Sequence, residues 1–395
     1  MTSSQPPPPA LDVDALIDDR RTRILVCCGS GGVGKTTTAA AIGLRAAERG
    51  RHVVVLTVDP ARRLAQSMGL SSLDNTPRLV PGAGAPAASG DDPASGPGHG
   101  DQGGSLHAMM LDMKRTFDEI VEAHADPDRA AQILDNPFYQ SLSSNFAGTQ
   151  EYMAMEKLGQ LRRAQEWDLI VVDTPPSRSA LDFLDAPQRL GRFLDGKLLR
   201  LLTAPAKFGG RTYMRVLNAG FGVVTGVLTK ILGAQVLRDV QTFVAALDTM
   251  FGGFRERADY TYQLLRAPGT AFLVVAAPEP DALREASYFV ERLASERMPL
   301  AGLLLNRVQR APAARLSAAR SQAAAETLQA AGSYPLAVTA LRRHAERMQQ
   351  VSGQRRLAEH FTAAHPVVPV AEIPAQAQDV HDLEGLRAIG QAFGG

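Results

Sequence analysis

Residues Gly29 to Thr36 read GSGGVGKT, the spacing G-x-x-x-x-G-K-[ST], and Thr37 follows at the start of an alanine-rich helical stretch. Such a run is chemistry for binding phosphate. Gly31, Gly32 and Gly34 admit backbone torsions closed to other residues, so the N–H groups of Gly29, Ser30, Gly31, Gly32, Val33, Gly34, Lys35, Thr36 and Thr37 can converge on phosphate oxygens beside the positive end of the helix. Lys35 would reach the β and γ phosphates as a mobile point charge. Thr36 would give its hydroxyl to Mg²⁺, whose octahedral shell is otherwise filled by phosphate oxygens and water.

Two further segments end in a carboxylate. VLTVDPARRLA places Asp59 at a strand end, where it could position an attacking water; it could equally cap a helix whose first residue is Pro60, and both readings stand on the residues alone. DLIVVDTPPS places Asp173 after four apolar residues, as expected of the acidic group that holds Mg²⁺ through water, and Thr174-Pro175-Pro176 opens a loop able to sense the γ phosphate. No Asn-Lys dipeptide of the guanine-reading type occurs, so ATP is expected rather than GTP. Asn306, closing LLLN, offers a donor and an acceptor to adenine, or serves as a plain loop-entry residue.

These groups need a scaffold. Apolar, β-branched runs begin at Arg23, His52, Leu106, Asp168, Phe272, Ala301 and Val367, separated by helix-length segments. Most are continuously apolar, as strands covered on both faces must be, which predicts an α/β fold: a doubly wound, mostly parallel sheet with the phosphate loop after its first strand. The core is expected over 23–180 and 266–395, with a flexible tail over 1–22. Residues 81–104 hold 12 Gly or Pro in 24 positions and no large apolar side chain, the composition of a disordered surface insertion. Residues 181–265 show helix-length apolar patterning with little strand signal, an inserted helical subdomain. Its uncharged stretch Val216–Thr229 is too short to span a bilayer, which takes about 20 residues.

Composition removes several classes of function. The 42 basic and 41 acidic residues leave a formal charge of +1, which gives no electrostatic case for nucleic acid. Nine Arg against two acidic residues between 307 and 356 read as solvated helix faces. The two cysteines, Cys27 and Cys28, are adjacent within an apolar run and are expected to pack in the core. The first residues carry no apolar run behind a basic one, so a cytoplasmic location is expected, with attachment to the membrane periphery as the alternative.

With these motifs assembled, the chain resembles the ArsA-like family of arsenite-pump and tail-anchored-protein-targeting ATPases, whose deviant phosphate loop reads G-K-G-G-V-G-K-T. TVDPARRL resembles the family's T-D-P-A switch I, AGTQE from Ala147 its P-G-x-x-E, and DTPPS its D-T-A-P-T. APEPDALREASYFVERL, LLLNRV and DVHDLEGLRAIG resemble its later segments, so the likeness covers roughly 23–395. The resemblance implies ATP and Mg²⁺ as ligands, Asp59 as the catalytic residue that activates water, Asp173 as the switch II aspartate and Asn306 as an adenine contact.

The chain departs from the family at one position above all. The signature lysine, which crosses a dimer interface to the partner's phosphates, falls here on Ser30. The resemblance therefore implies a homodimer, or a heterodimer with a paralogous ATPase that keeps the lysine, and slow hydrolysis by the chain alone. Arg178-Ser179 also replaces the family's G-H, and Arg178 could restore part of the lost charge. The zinc-binding and metalloid-sensing cysteines are missing, so neither structural zinc nor arsenite activation is expected. Three functions are consistent with the resemblance: a dimeric switch with a hydrophobic protein client bound near Tyr213–Leu237 or Phe243–Phe254, a nucleotide-gated interaction module with little turnover, and a peripheral energising subunit of an anion transporter.

Overall fold

The computed structural model describes residues 9–58, 63–84, 103–137, 139–140, 143, 149–175, 256–332 and 334–394. Seven strands form where the apolar runs predict them: β1 (Ile24–Cys28), β2 (His52–Thr57), β4 (Ser105–Met110), β5 (Leu169–Asp173), β6 (Thr270–Ala276), β7 (Leu300–Val308) and β8 (Val370–Pro374). An eighth, β3 (Arg78–Leu79), is a two-residue antiparallel edge on β4. The order across the sheet is β3-β4-β2-β5-β1-β6-β7-β8, and every pairing but β3 with β4 is parallel.

The connection order explains where a ligand must sit. From β1 the chain winds toward β2 and β4 on one side and later toward β6, β7 and β8 on the other. The carboxyl end of β1, between β5 and β6, is thus the point where the winding reverses and a crevice opens. Strands β1, β5 and β6 are buried at every position, which is why their sequences are unbroken apolar runs.

Helix α2 (Lys35–Glu48) leaves the crevice and packs its Ala39, Ala40, Ile42, Leu44 and Ala46 into the core. Small residues let it lie close to the sheet: a side chain at Gly43 would meet Val55 Cγ2 at 2.5 Å. The last α-helix, Leu383–Gln391, covers α2 from outside.

Residues 9–22 of the expected flexible tail are structured. Asp12 caps α1 (Val13–Asp18) by accepting from Ala15 N at 2.8 Å, and Val13 and Ile17 are fully buried. Two ion pairs then fasten α1 to α2, Asp14 with Arg45 at 2.7 Å and Asp18 with Arg49 Nε at 2.6 Å. Beneath them the Arg51 guanidinium, 1% exposed, donates to the carbonyls of Ile17, Thr22 and Asp168. This cage ties α1, the approach to β1 and the start of β5 to one side chain.

The chain divides into two compact units, one of Met1–Met110, Ala164–Leu181 and Leu265–Gly395, the other of Leu111–Arg163 and Asp182–Leu264. The second unit includes α3 (Met113–His124), α4 (Pro127–Leu134) and nearly all of α5 (Thr149–Ala164), segments that the sequence reading kept with the core. Within that unit Glu156 is 3% exposed and accepts from Arg163 at 3.3 Å and Arg257 at 3.0 Å, so its charge is neutralised inside the helical packing. Most of the expected 181–265 subdomain, and residues 85–102 of the expected insertion, lie outside the described residues. Among the described residues, no helix is long and apolar enough to cross a membrane.

Candidate functional site

The loop from Gly29 to Gly34 turns off the end of β1 and delivers the chain into α2, with Gly34 as N-cap at φ 94°. Positive φ occurs at Gly29, Gly32 and Gly34, not at Gly31 as the sequence reading expected. Gly29 turns the chain off β1 beneath the neighbouring strand: a Cβ there would lie 2.1 Å from the Val275 carbonyl oxygen of β6. A non-local contact makes this demand, so the spacing of the motif could not reveal it.

Gly31 and Gly32 form an exposed crest, while Val33 (4% exposed) anchors the loop in the core. Lys35 is 6% exposed and its Nζ donates to the Ser30 carbonyl at 2.8 Å, curling the side chain back over the loop. The Ser30 hydroxyl is buried and has no hydrogen-bond partner among the described residues. A buried hydroxyl without a partner is costly, and a phosphate oxygen in the cradle would relieve it. Thr37 follows half-buried in the first turn of α2.

Across the crevice, Asp173 ends β5 beside β1 and β2, its Cα in register with Cys27 and with Thr57. Its Oδ2 accepts from Thr36 Oγ1 at 2.7 Å and from Thr57 Oγ1 at 2.8 Å, and the residue is fully buried. Thr36 and Asp173, 137 positions apart, are therefore brought together as expected of residues that hold one cation. This donor set fits Mg²⁺, which takes one or two protein oxygens and completes its shell with phosphate and water. Thr57 is a site residue the sequence reading passed over; its only signal is a hydroxyl closing an otherwise apolar strand.

Thr174 continues the crevice, donating through Oγ1 to the Cys27 carbonyl at 2.9 Å. Burial, with a smaller contribution from the Asp173 carboxylate, pushes the Cys27 thiol well up; burial likewise pushes Cys28 up to about 12. Neither forms a thiolate near neutral pH, so both behave as small apolar side chains.

Asn306, at the end of β7, is 7% exposed. Its Nδ2 donates to the Val33 carbonyl at 2.8 Å and its Oδ1 accepts from Arg307 N at 2.9 Å. The carboxamide thus touches the phosphate loop itself. Asp59 and Arg178 lie outside the described residues, as do the apolar stretches Tyr213–Leu237 and Phe243–Phe254.

Comparison with known proteins agrees with this geometry. A family model described as anion-transporting ATPase matches residues 22–331. The chain is 24% identical to ATPase GET3 of Ajellomyces dermatitidis over 295 residues, 74% of this chain and 75% of that one. It is 23% identical to ATPase get3 of Schizosaccharomyces pombe over 296 residues, 75% of this chain and 76% of that one. With ATPase GET3 of Malassezia globosa it shares 27% identity over 187 residues, spanning 47% of this chain and 48% of that relative. The family match runs from just ahead of β1 into the helix after β7 and takes in every strand but β8, so the chain belongs to the anion-transporting ATPase family.

Proposed function

We propose that this ATPase is a Mg²⁺-dependent dimeric switch that handles a hydrophobic protein client. The observation that carries the Mg²⁺ assignment is the meeting of Thr36 Oγ1 and Asp173 Oδ2 at 2.7 Å, next to a lysine already inside the loop. Backbone N–H groups from Gly29 to Thr37 and the Lys35 ammonium hold the phosphates. Thr36 and Asp173 would hold the cation, with the Thr57 hydroxyl keeping the carboxylate aimed, and Mg²⁺ held there would supply neutralisation of charge on the phosphoryl oxygens.

Asn306 takes the adenine. A carboxamide has two N–H groups and two oxygen lone pairs, and one of each is spent on Val33 and Arg307. The second N–H and second lone pair match the acceptor and donor on the adenine edge. Asp59, two positions past β2 in the sequence, positions the attacking water.

Ser30 favours a second element of the reading. Its side chain carries no charge to lend across a dimer, so the chain hydrolyses ATP slowly unless a related, lysine-bearing subunit supplies the cation. A cation lent from another chain contributes on the order of a thousandfold or more to phosphoryl transfer. Steady-state ATP turnover, measured on the chain alone, on Ser30→Lys, and on the chain mixed with such a subunit, tests this. Slow, Mg²⁺-dependent turnover that rises in the second and third cases is expected. Fast turnover by the lone chain sinks the missing-cation argument, and turnover unaffected by chelating Mg²⁺ sinks the metal assignment. Failure to bind ATP in calorimetry would remove the proposal altogether. ATP-dependent binding of an apolar dye reports the client surface; a signal identical with and without ATP counts against a switch.

A further inference from the structure

The structure assigns Asn306 a second role: positioning the phosphate loop, independent of any contact with the base. Three observations converge on it. The carboxamide donates to the Val33 carbonyl at 2.8 Å, one residue ahead of the N-cap of α2 and two ahead of Lys35. Gly34 is stripped to make room, since a Cβ there would lie 2.3 Å from Asn306 Nδ2.

The end of β7 is also deformed to deliver this side chain. The pairing with β8 shifts register between Leu305 and Val308, and Arg307 sits at φ 61°, a left-handed torsion disfavoured for a residue with a Cβ. The Arg307 N–H so turned back is taken up by Asn306 Oδ1 at 2.9 Å. A strand corner held in an uncommon conformation, with the amide it presents buried against the loop, is the signature of an over-determined position.

The consequence is mechanical. Val33 is the one member of the exposed turn anchored in the core, and the hydrogen bond fixes the carbonyl on the far side of its peptide link. With that carbonyl held, the peptide plane between Val33 and Gly34 cannot rotate, and the Gly34 N–H stays aimed with its neighbours at the phosphate position. Asn306 is therefore a positioning residue for phosphate as well as a contact for adenine. This inference rests on the ATP-site reading above, and its test separates the two roles by using a ligand with no base.

Calorimetric titration with Mg²⁺ and inorganic triphosphate, set beside titration with Mg-ATP, is carried out on the wild-type chain, on Asn306→Leu, which keeps the volume and loses both hydrogen bonds, and on Asn306→Ala. Wild-type binding of ATP is the control on the ATP-site reading. Triphosphate affinity is expected to fall roughly tenfold in both variants, the worth of one well-placed hydrogen bond, and ATP affinity to fall further. Unchanged triphosphate affinity with weakened ATP confines Asn306 to the base and overturns the inference; so does an effect on neither. Amide hydrogen exchange in the nucleotide-free protein gives a second readout that needs no ligand. The peptide covering 32–36 should exchange faster in both variants while β1 and β5 keep their protection. Equal exchange across that peptide overturns the inference, and a uniform rise across all strands reassigns Asn306 to general stability, which overturns it too.

Discussion

Substituting alanine at two glycines of the phosphate loop should have unequal effects, although the motif treats both alike. At Gly32, φ is 77° and nothing lies within 4 Å of a built Cβ. Alanine there meets only the torsional cost of the left-handed region, about 1–2 kcal/mol. At Gly29, φ is 149° and the Cβ would sit 2.1 Å from Val275 O and 3.1 Å from Val275 C. A carbon needs about 3.3 Å to a carbonyl oxygen, so the two backbones must part by roughly 1.2 Å. No side chain can turn aside to relieve this, because the obstacle is the main chain of β6. Val275 follows Val274, which pairs in register with Cys28 of β1, so separation opens the ladder at the centre of the sheet.

Overpacking of this kind costs about 1–3 kcal/mol and the torsion adds about 1–3 kcal/mol, giving roughly 2–6 kcal/mol in all. At about 1–2 °C per kcal/mol for a chain of this size, Gly29→Ala should melt roughly 4–10 °C below wild type and Gly32→Ala only about 1–4 °C below. Thermal unfolding followed by far-ultraviolet circular dichroism, without nucleotide, measures both. Equal melting temperatures for the two variants would show that the Gly29–Val275 approach does not constrain the sheet.

Two further outcomes follow from the site and its supports. Asp173→Asn keeps an oxygen for the Thr36 and Thr57 hydroxyls but removes the charge facing the cation; turnover should fall at least about a hundredfold while ATP binding in the presence of a chelator changes little. Equal losses in both assays would instead mark the carboxylate as structural. The Asp14 and Asp18 carboxyls are held below their usual 3.8, chiefly by hydrogen bonds from Arg45 and Arg49. A carboxyl whose folded value is lowered binds fewer protons folded than unfolded, so its stabilisation is present above 3.8 and lost as pH falls through the lower folded value. Melting temperature should therefore decline more steeply below about pH 4 in wild type than in Asp14→Asn, and parallel acid limbs would show that the α1 latch is not coupled to folding.

What could be read from the sequence follows physical range. Strands β1, β2, β5 and β6 are legible because burial on both faces leaves a continuous apolar run, and the meeting of Thr36 with Asp173 is legible because each stands at a strand or helix boundary. Helix α1 was not: six residues behind a run of prolines show too little periodicity, and its stability comes from Arg45, Arg49 and Arg51, some thirty positions on. Strand β3 is two exposed residues with no pattern to read. The Gly29–Val275 approach and the Asn306–Val33 hydrogen bond join segments about 250 and 273 positions apart; nothing local at either end announces the other. Thr57 falls between these cases, since a strand-terminal threonine is visible but the carboxylate it serves arrives only with the neighbouring strand.

The curled lysine carries a lesson about mutational drift. Lys35 rests on the carbonyl of residue 30, and a main-chain acceptor is the same whatever side chain the residue bears. A change of side chain at position 30 therefore leaves in place the acceptor on which Lys35 rests. In the proposed dimer the loss of a cation there would be felt across the interface, in another chain's active site. A lineage that duplicates such a subunit can let one copy shed the lending group while the other retains it, and selection on the isolated fold would not notice the difference.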